Sequence, residues 1–256
     1  MGRLTDLAHA TRRLARGHPR LHAAPALAAG LQACAYPYYA GPLRPAPSQA
    51  EQVQVADDGT VTYVRDRLEI SLRPLTDEEL NRQFESQSQA GPRSTNPYTY
   101  GNALVGAYGQ TPARFTVFRL GVKNYAYPKV RIDPARIVLR ATNGRRYWAL
   151  GLDQLHGYFR AYAIGYRGNE YSQYQERLDV LQRTLFSAEP IFSGQERSGY
   201  LVFPVLHPDV RELAAQVRDA VLRFDFRDEP VETAEVAYQF VRDIGRVTPA
   251  GIKLVP

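Results

Sequence analysis

The sequence predicts a mainly β protein, an antiparallel β-sandwich carrying a helical insertion. Three observations predict it. Apolar and polar residues alternate with a period of two from about residue 52 onward. Turn signals, above all Asp57-Asp58-Gly59 and Asn143-Gly144, separate the alternating runs. One stretch, about 152–186, switches to helical spacing. Many short strands joined by turns are the pattern of a sandwich.

Taken in order, Asp57-Asp58-Gly59 divides QVQVA from TVTYVR, a predicted hairpin. Leu68, Ile70 and Leu72 then alternate with Glu69, Ser71 and Arg73, a strand with one wet face. Thr76 followed by Glu79 is a capping box, because the hydroxyl and the carboxylate can each close on a free backbone N–H; a helix through about Ser86 is expected. Phe118, Leu120 and Val122 alternate with Arg119, Gly121 and Lys123. After the turn at Asp133-Pro134, Asn143-Gly144 joins RIVLRAT to RRYWAL. Within the insertion, Tyr171, Tyr174, Leu178, Leu181 and Leu185 fall on one helical face, with Asn169 placed to cap it. GYLVFPVL and EVAYQFV are further strands. Residues 210–226 fit a helix through Val210, Leu213, Ala214, Val217 and Val221. They also fit a strand through Leu213, Ala215, Val217, Leu222, Phe224 and Phe226 with a bulge near Asp219. The strand-like VLRFDF at the end favours strand throughout.

The N-terminal part has a different organisation. Residues 3–20 carry five arginines, residues 21–33 are small, apolar and uncharged, and Cys34 follows. That is the order of a signal peptide, and the apolar run is shorter than the about 20 residues needed to span a bilayer. Leu31-Gln32-Ala33-Cys34 resembles the lipobox of bacterial lipoproteins, with Leu31, Ala33 and Cys34 fitting and Gln32 a less usual occupant. The resemblance implies cleavage before Cys34 and lipidation of its thiol, hence attachment to a membrane; multiple acyl chains anchor stably where one does not. Ala35 after the cysteine implies, by the sorting rule of diderm bacteria, the outer membrane. Thr11-Arg12-Arg13-Leu14 also resembles a twin-arginine export signal, although Ala15 departs from it. The expected organisation is thus a signal peptide over 1–33, a tether over 34–51 and a sandwich domain over 52–256. The tether follows from Pro37, Pro42, Pro45 and Pro47, which suit neither a helix nor a central strand.

Three segments of the body, FTVFRLGVKN, PARIVLRATNGRRYWAL and SGQERSGYLVFPV, resemble an immunoglobulin-like, telokin-like domain of bacterial lipoproteins. The resemblance covers roughly residues 110–243, with Gly199-Tyr200-Leu201-Val202-Phe203 its best-fitting strand. The insertion at 152–186 departs from the plain domain. What the resemblance implies is an immunoglobulin-like form of the sandwich.

Charge excludes one class of partner. Of the net +6, the segment 1–33 holds +4, from five arginines against Asp6, so only +2 remains on the rest. No dense basic face survives, and nucleic-acid binding is not expected. The single cysteine excludes an intramolecular disulfide.

Catalytic and cofactor motifs are sparse. Of the five histidines, His9, His18 and His22 precede Cys34. His156 and His207 lack metal-ligand spacing, so neither metal nor cofactor is expected. Ser198 lies outside any nucleophile elbow, and no glycine-rich phosphate loop is present. Asp225, Asp228, Glu229 and Glu232 lie close enough together to suggest a calcium site, but they lack the loop pattern and suit a solvated turn better. The most distinctive feature is the aromatic cluster Tyr147, Trp148, Tyr158, Phe159, Tyr162, Tyr166, Tyr171 and Tyr174. It either packs the helices onto the sandwich or offers a ligand surface, for which Trp148, Tyr158, Tyr162 and Tyr166 are the candidates. The expected function is that of a non-enzymatic cell-envelope lipoprotein binding a protein or glycan partner, or supporting an assembly. The alternative is an envelope hydrolase acting on glycan or peptide with His156 or His207 as base. That reading requires a histidine and a carboxylate within hydrogen-bond reach in a cleft.

Overall fold

Alternation along the strands becomes two facing sheets. The computed structural model describes residues 38–89, 94–102, 112–165, 171–248 and 251–255. The elements in chain order are β1 (Tyr38–Ala40), β2 (Arg44–Pro45), β3 (Val53–Val55), β4 (Val61–Arg65), β5 (Leu68–Leu75), α1 (Asp77–Gln83) and α2 (Glu85–Ser88). Then come β6 (Thr116–Asn124), β7 (Lys129–Val130), β8 (Ile137–Ala141), β9 (Arg146–Trp148), α3 (Leu152–Gly165) and α4 (Tyr171–Thr184). The chain closes with β10 (Ile191–Phe192), β11 (Gln195–Phe203), β12 (Glu212–Phe224), β13 (Pro230–Val241), β14 (Ile244–Thr248) and β15 (Gly251–Leu254). One five-stranded sheet runs β11-β6-β5-β4-β3 and the other β2-β13-β12-β8-β9; β1-β14-β15 and β10-β7 form small satellites. All the pairings between named strands are antiparallel. The fold is mainly β, an antiparallel sandwich with a helical insertion, as the alternation predicts.

The sandwich core lies between the inner faces of the sheets. Ile70, Leu72, Phe118 and Leu120 meet Leu139, Ala215, Val217 and Phe240, all buried. The Phe118 and Phe240 rings meet edge to face at 5.3 Å. The Tyr238 hydroxyl crosses between the sheets to donate to the Ile70 carbonyl at 2.6 Å, which satisfies the one polar atom this large side chain brings inside. Each fully buried Leu or Phe contributes about 1.5–3 kcal/mol.

A second core sits on the outer face of the first sheet. There Val117, Tyr200 and Val202 turn away from the sandwich and meet Leu155 and Phe159 of α3, Tyr174, Leu178 and Leu181 of α4, Leu80 of α1, and Tyr98. The insertion is therefore a third layer over one end of that sheet. Arg177 is fully buried in this layer, donating to the Ser94 carbonyl at 2.7 Å with its guanidinium 5.6 Å from the Phe159 ring centre. The chain leaves α4 along the free edge of β11, where Phe186 donates to the Tyr200 carbonyl at 3.0 Å. Among the described residues no helix is long and apolar enough to cross a membrane.

Local signals are realised closely. At the β8–β9 turn Ala141 bonds to Arg145 across a three-residue loop, and Gly144, its last residue, takes a φ of +86°, the left-handed conformation that such a loop asks of it. The Thr76–Glu79 capping box closes in both directions, at 3.2 and 2.9 Å. The helix it starts breaks at Phe84, however, and Glu85–Ser88 follows as a separate turn. The break lets Phe84 set its ring 5.5 Å from that of Tyr98 and 6.1 Å from that of Tyr200. Residues 212–224 are strand, with Asp219 at φ +53° and a register shift between Val217 and Ala220 forming the bulge.

The stretch expected to be a tether over 34–51 is, from Tyr38 onward, paired to the body. β1 pairs with β14 and β2 with the end of β13. Gln49 acts as a surrogate strand. Its amide donates to the Gln239 carbonyl at 2.7 Å and its side-chain oxygen accepts from the Gln239 N–H at 3.0 Å. Proline is tolerated because these are edge segments, where a missing N–H faces no neighbour. Strands of two or three residues leave no periodicity to read.

Candidate functional site

Of the four aromatic residues proposed as a surface, the described structure places the side chains of two, on different elements. Trp148 is 46% exposed on β9, the edge strand of the second sheet, opposite Val138. Tyr158 is 39% exposed on α3, over the first sheet. Its ring packs edge-on to Phe115 at 5.1 Å and to Phe159 at 4.9 Å, and burial pushes its phenol pKa up. Tyr162 belongs to α3, but its side chain lies outside the described structure, as do Tyr166, Asn169 and Cys34 altogether.

A different constellation converges between the two helices of the insertion. On α3, His156, Arg160, Ala163 and Ile164 follow one another at helical spacing. On α4, Tyr171, Tyr174 and Gln175 do the same, and the two faces enclose a groove of about 600 Å³. Ile164 is 66% and Tyr171 63% exposed, whereas Tyr174 is buried at the groove floor. His156 Nε2 and the Tyr174 hydroxyl are 2.6 Å apart, their rings meet edge to face at 5.6 Å, and the Tyr171 ring lies 5.8 Å from that of Tyr174. An open aromatic face, an imidazole, a guanidinium and an amide thus line one groove. That mixture suits a partner with apolar faces and hydroxyls at its edges. The helical stripe was legible in the sequence. The groove was not, because His156 and Arg160 become neighbours of Tyr171 only when α3 folds against α4.

The remaining polar candidates have structural employment. His207 Nδ1 lies 2.6 Å from Asp209 Oδ1. Arg145 already grips that carboxylate at 3.0 and 3.2 Å, and holds its pKa below the usual carboxylate range. Both His207 and Asp209 are about half exposed at the surface. Ser198 Oγ accepts from Arg119 at 3.2 Å. Of the acidic cluster, Asp225, Asp228 and Glu229 form the β12–β13 turn and Glu232 lies on β13. Asp225 Oδ1 accepts from the N–H groups of Arg227 and Glu229, Asp228 pairs with Lys129, and Glu232 bridges Arg65 at 2.7 Å and Arg223 at 3.2 Å. In a further cavity, lined by Leu43, Leu75, Phe115 and Leu206, burial pushes the Asp77 carboxyl up to about 6 against the opposing charge of Arg114.

No family model matches the chain, and no curated protein matches it. Among solved structures it is similar to the secreted protein MPT63 of Mycobacterium tuberculosis. The two are 12% identical over 63% of this chain and 88% of that one, with a TM-score of 0.29.

Proposed function

We propose that this chain is a non-enzymatic lipoprotein of the bacterial cell envelope, anchored through Cys34, whose body binds a glycan through the groove between α3 and α4. The observation that carries the binding reading is the convergence of His156, Arg160, Tyr171, Tyr174 and Gln175 on one open groove. A glycan fits better than a protein anchor. The groove offers one flat exposed ring ringed by hydrogen-bonding groups, where a protein hot spot fills a dry pocket. The anchor is supported by the order of charge, apolar run and Leu31–Cys34 in the sequence. The outer membrane is the expected site, from Ala35. The hydrolase alternative has little to draw on. His156 faces a tyrosine hydroxyl, and the carboxylate beside His207 is held by Arg145.

Calorimetric titration with soluble fragments of envelope glycan tests the groove. Tyr171→Ser and Arg160→Ser should each weaken binding about tenfold, which is about 1.4 kcal/mol. Both side chains are exposed, so thermal stability should shift by no more than about 0.5 kcal/mol. Unchanged affinity in both variants, or no binding by the natural protein, would contradict the glycan reading.

A further inference from the structure

The outer face of the first sheet that the helices leave uncovered carries an ordered arrangement of its own. In register across four strands lie Thr62, Ser71, Gly121 and Ser198, a row of small residues. One row further along, Arg73 on β5 stands directly opposite Arg119 on β6; on the other side Lys123 stands between Glu69 and Glu196. Ser71, Gly121 and Ser198 of that row form the floor of a trench of about 340 Å³, with Arg73, Arg119, Lys123 and Glu196 in its walls. Its depth depends on Gly121, since a Cβ there would come within 2.6 Å of Ser71 Oγ.

Electrostatics distinguishes one residue. Two like charges directly opposite each other on neighbouring strands are destabilising. Arg73 is answered by Glu79, reaching from α1 at 2.7 Å. Lys123 is answered by Glu69 at 3.1 Å, and Arg197 by Glu189 at 3.2 Å. Asp58 is engaged by the Thr60 N–H, and Glu196 accepts from the Tyr125 hydroxyl. Arg119 donates to Ser198 Oγ at 3.2 Å, and among the described residues no carboxylate lies within ion-pair distance of it. A guanidinium presents five donors in a planar fork, and one hydroxyl occupies only one of them.

We propose that the Arg73–Arg119 end of this trench is a binding site for a compact oxyanion, a phosphate or carboxylate group, with Arg119 as principal donor. The anion supplies the counter-charge that Arg119, facing Arg73, lacks. The fork of Arg119 takes two of its oxygens, and the Ser198 hydroxyl lies beside the contact. The site is separate from the interhelical groove, and either can hold without the other.

The test is calorimetric titration of the full chain with inorganic phosphate and, in parallel, with acetate, at constant ionic strength. Saturable binding of one or both is expected, and Arg119→Gln should weaken it at least tenfold. Arg119→Lys, which keeps the charge and loses the fork, should fall between. Arg218→Gln, an exposed cation on the other sheet, should bind as the natural protein does. Binding of phosphate alone, or of acetate alone, identifies the group the site takes, provided Arg119→Gln loses it. Absence of saturable binding to both anions, full binding by Arg119→Gln, or an equal loss in Arg218→Gln would each overturn the proposal. Arg119 is exposed, so an unchanged thermal midpoint in Arg119→Gln establishes that any loss is local.

Discussion

Leu181→Asp should destabilise the protein by about 4 kcal/mol or more, because it leaves an unpaired charge in an apolar core. Leu181 is fully buried on α4, in the second core with Leu178, Phe159 and Val202. An isolated helix of 14 residues is marginal in water, so α4 owes its existence to this packing. Against a typical total stability of about 5–15 kcal/mol, the loss is enough to unfold a large fraction of the molecules. Leu181→Ala, which removes packing without adding charge, should lose about 2–5 kcal/mol. Urea unfolding of the three proteins is the measurement. If both variants unfold at the denaturant concentration of the natural protein, the helical layer is not packed on the sheet.

Gly199→Ala should lose about 1–3 kcal/mol, the range for forcing extra volume into a packed site. The reason is close approach of backbone to backbone. A Cβ at Gly199 would lie 2.6 Å from both Cα and N of Phe186, and main-chain atoms cannot rotate aside. The same approach lets Phe186 bond to Tyr200, so that the segment leaving α4 covers the edge of β11. The larger Gly199→Val should lose more than Gly199→Ala. The alternative outcome is distinct in sign: at an unhindered position, replacing glycine by alanine stabilises by a few tenths to about 1 kcal/mol through the unfolded chain. A gain in thermal midpoint would show that the chain does not run against β11 here.

Where one residue type has a narrow conformational use, the sequence was a good guide. Asn143-Gly144 and Asp57-Asp58-Gly59 marked hairpins because few residues take a positive φ, and the Thr76–Glu79 box marked a helix start. The strand at 212–224 was readable because Leu213, Ala215 and Val217 alternate inward. Its bulge was readable because the alternation loses step beside Asp219. The second core was harder to see. Val117, Tyr200 and Val202 break the expected wet face of their strands, and nothing local says what covers them. Tyr171 was misleading in the same way: it keeps the helical spacing of the buried stripe yet is exposed. The candidate groove and the trench are both products of tertiary register. Arg73 and Arg119 are 46 positions apart in the chain, and only the β5–β6 pairing makes them face each other.

In the proposed function, Cys34 carries the lipid that holds this protein at the envelope. Metabolic labelling of the full chain with a clickable fatty-acid analogue in a diderm bacterium tests it most directly. The natural protein should take up label and appear at the mass of a chain cut before Cys34. Cys34→Ser should take up none and remain at precursor mass, because a hydroxyl does not form the thioether. Label on the Ser variant, or none on the natural protein, would contradict lipidation at Cys34.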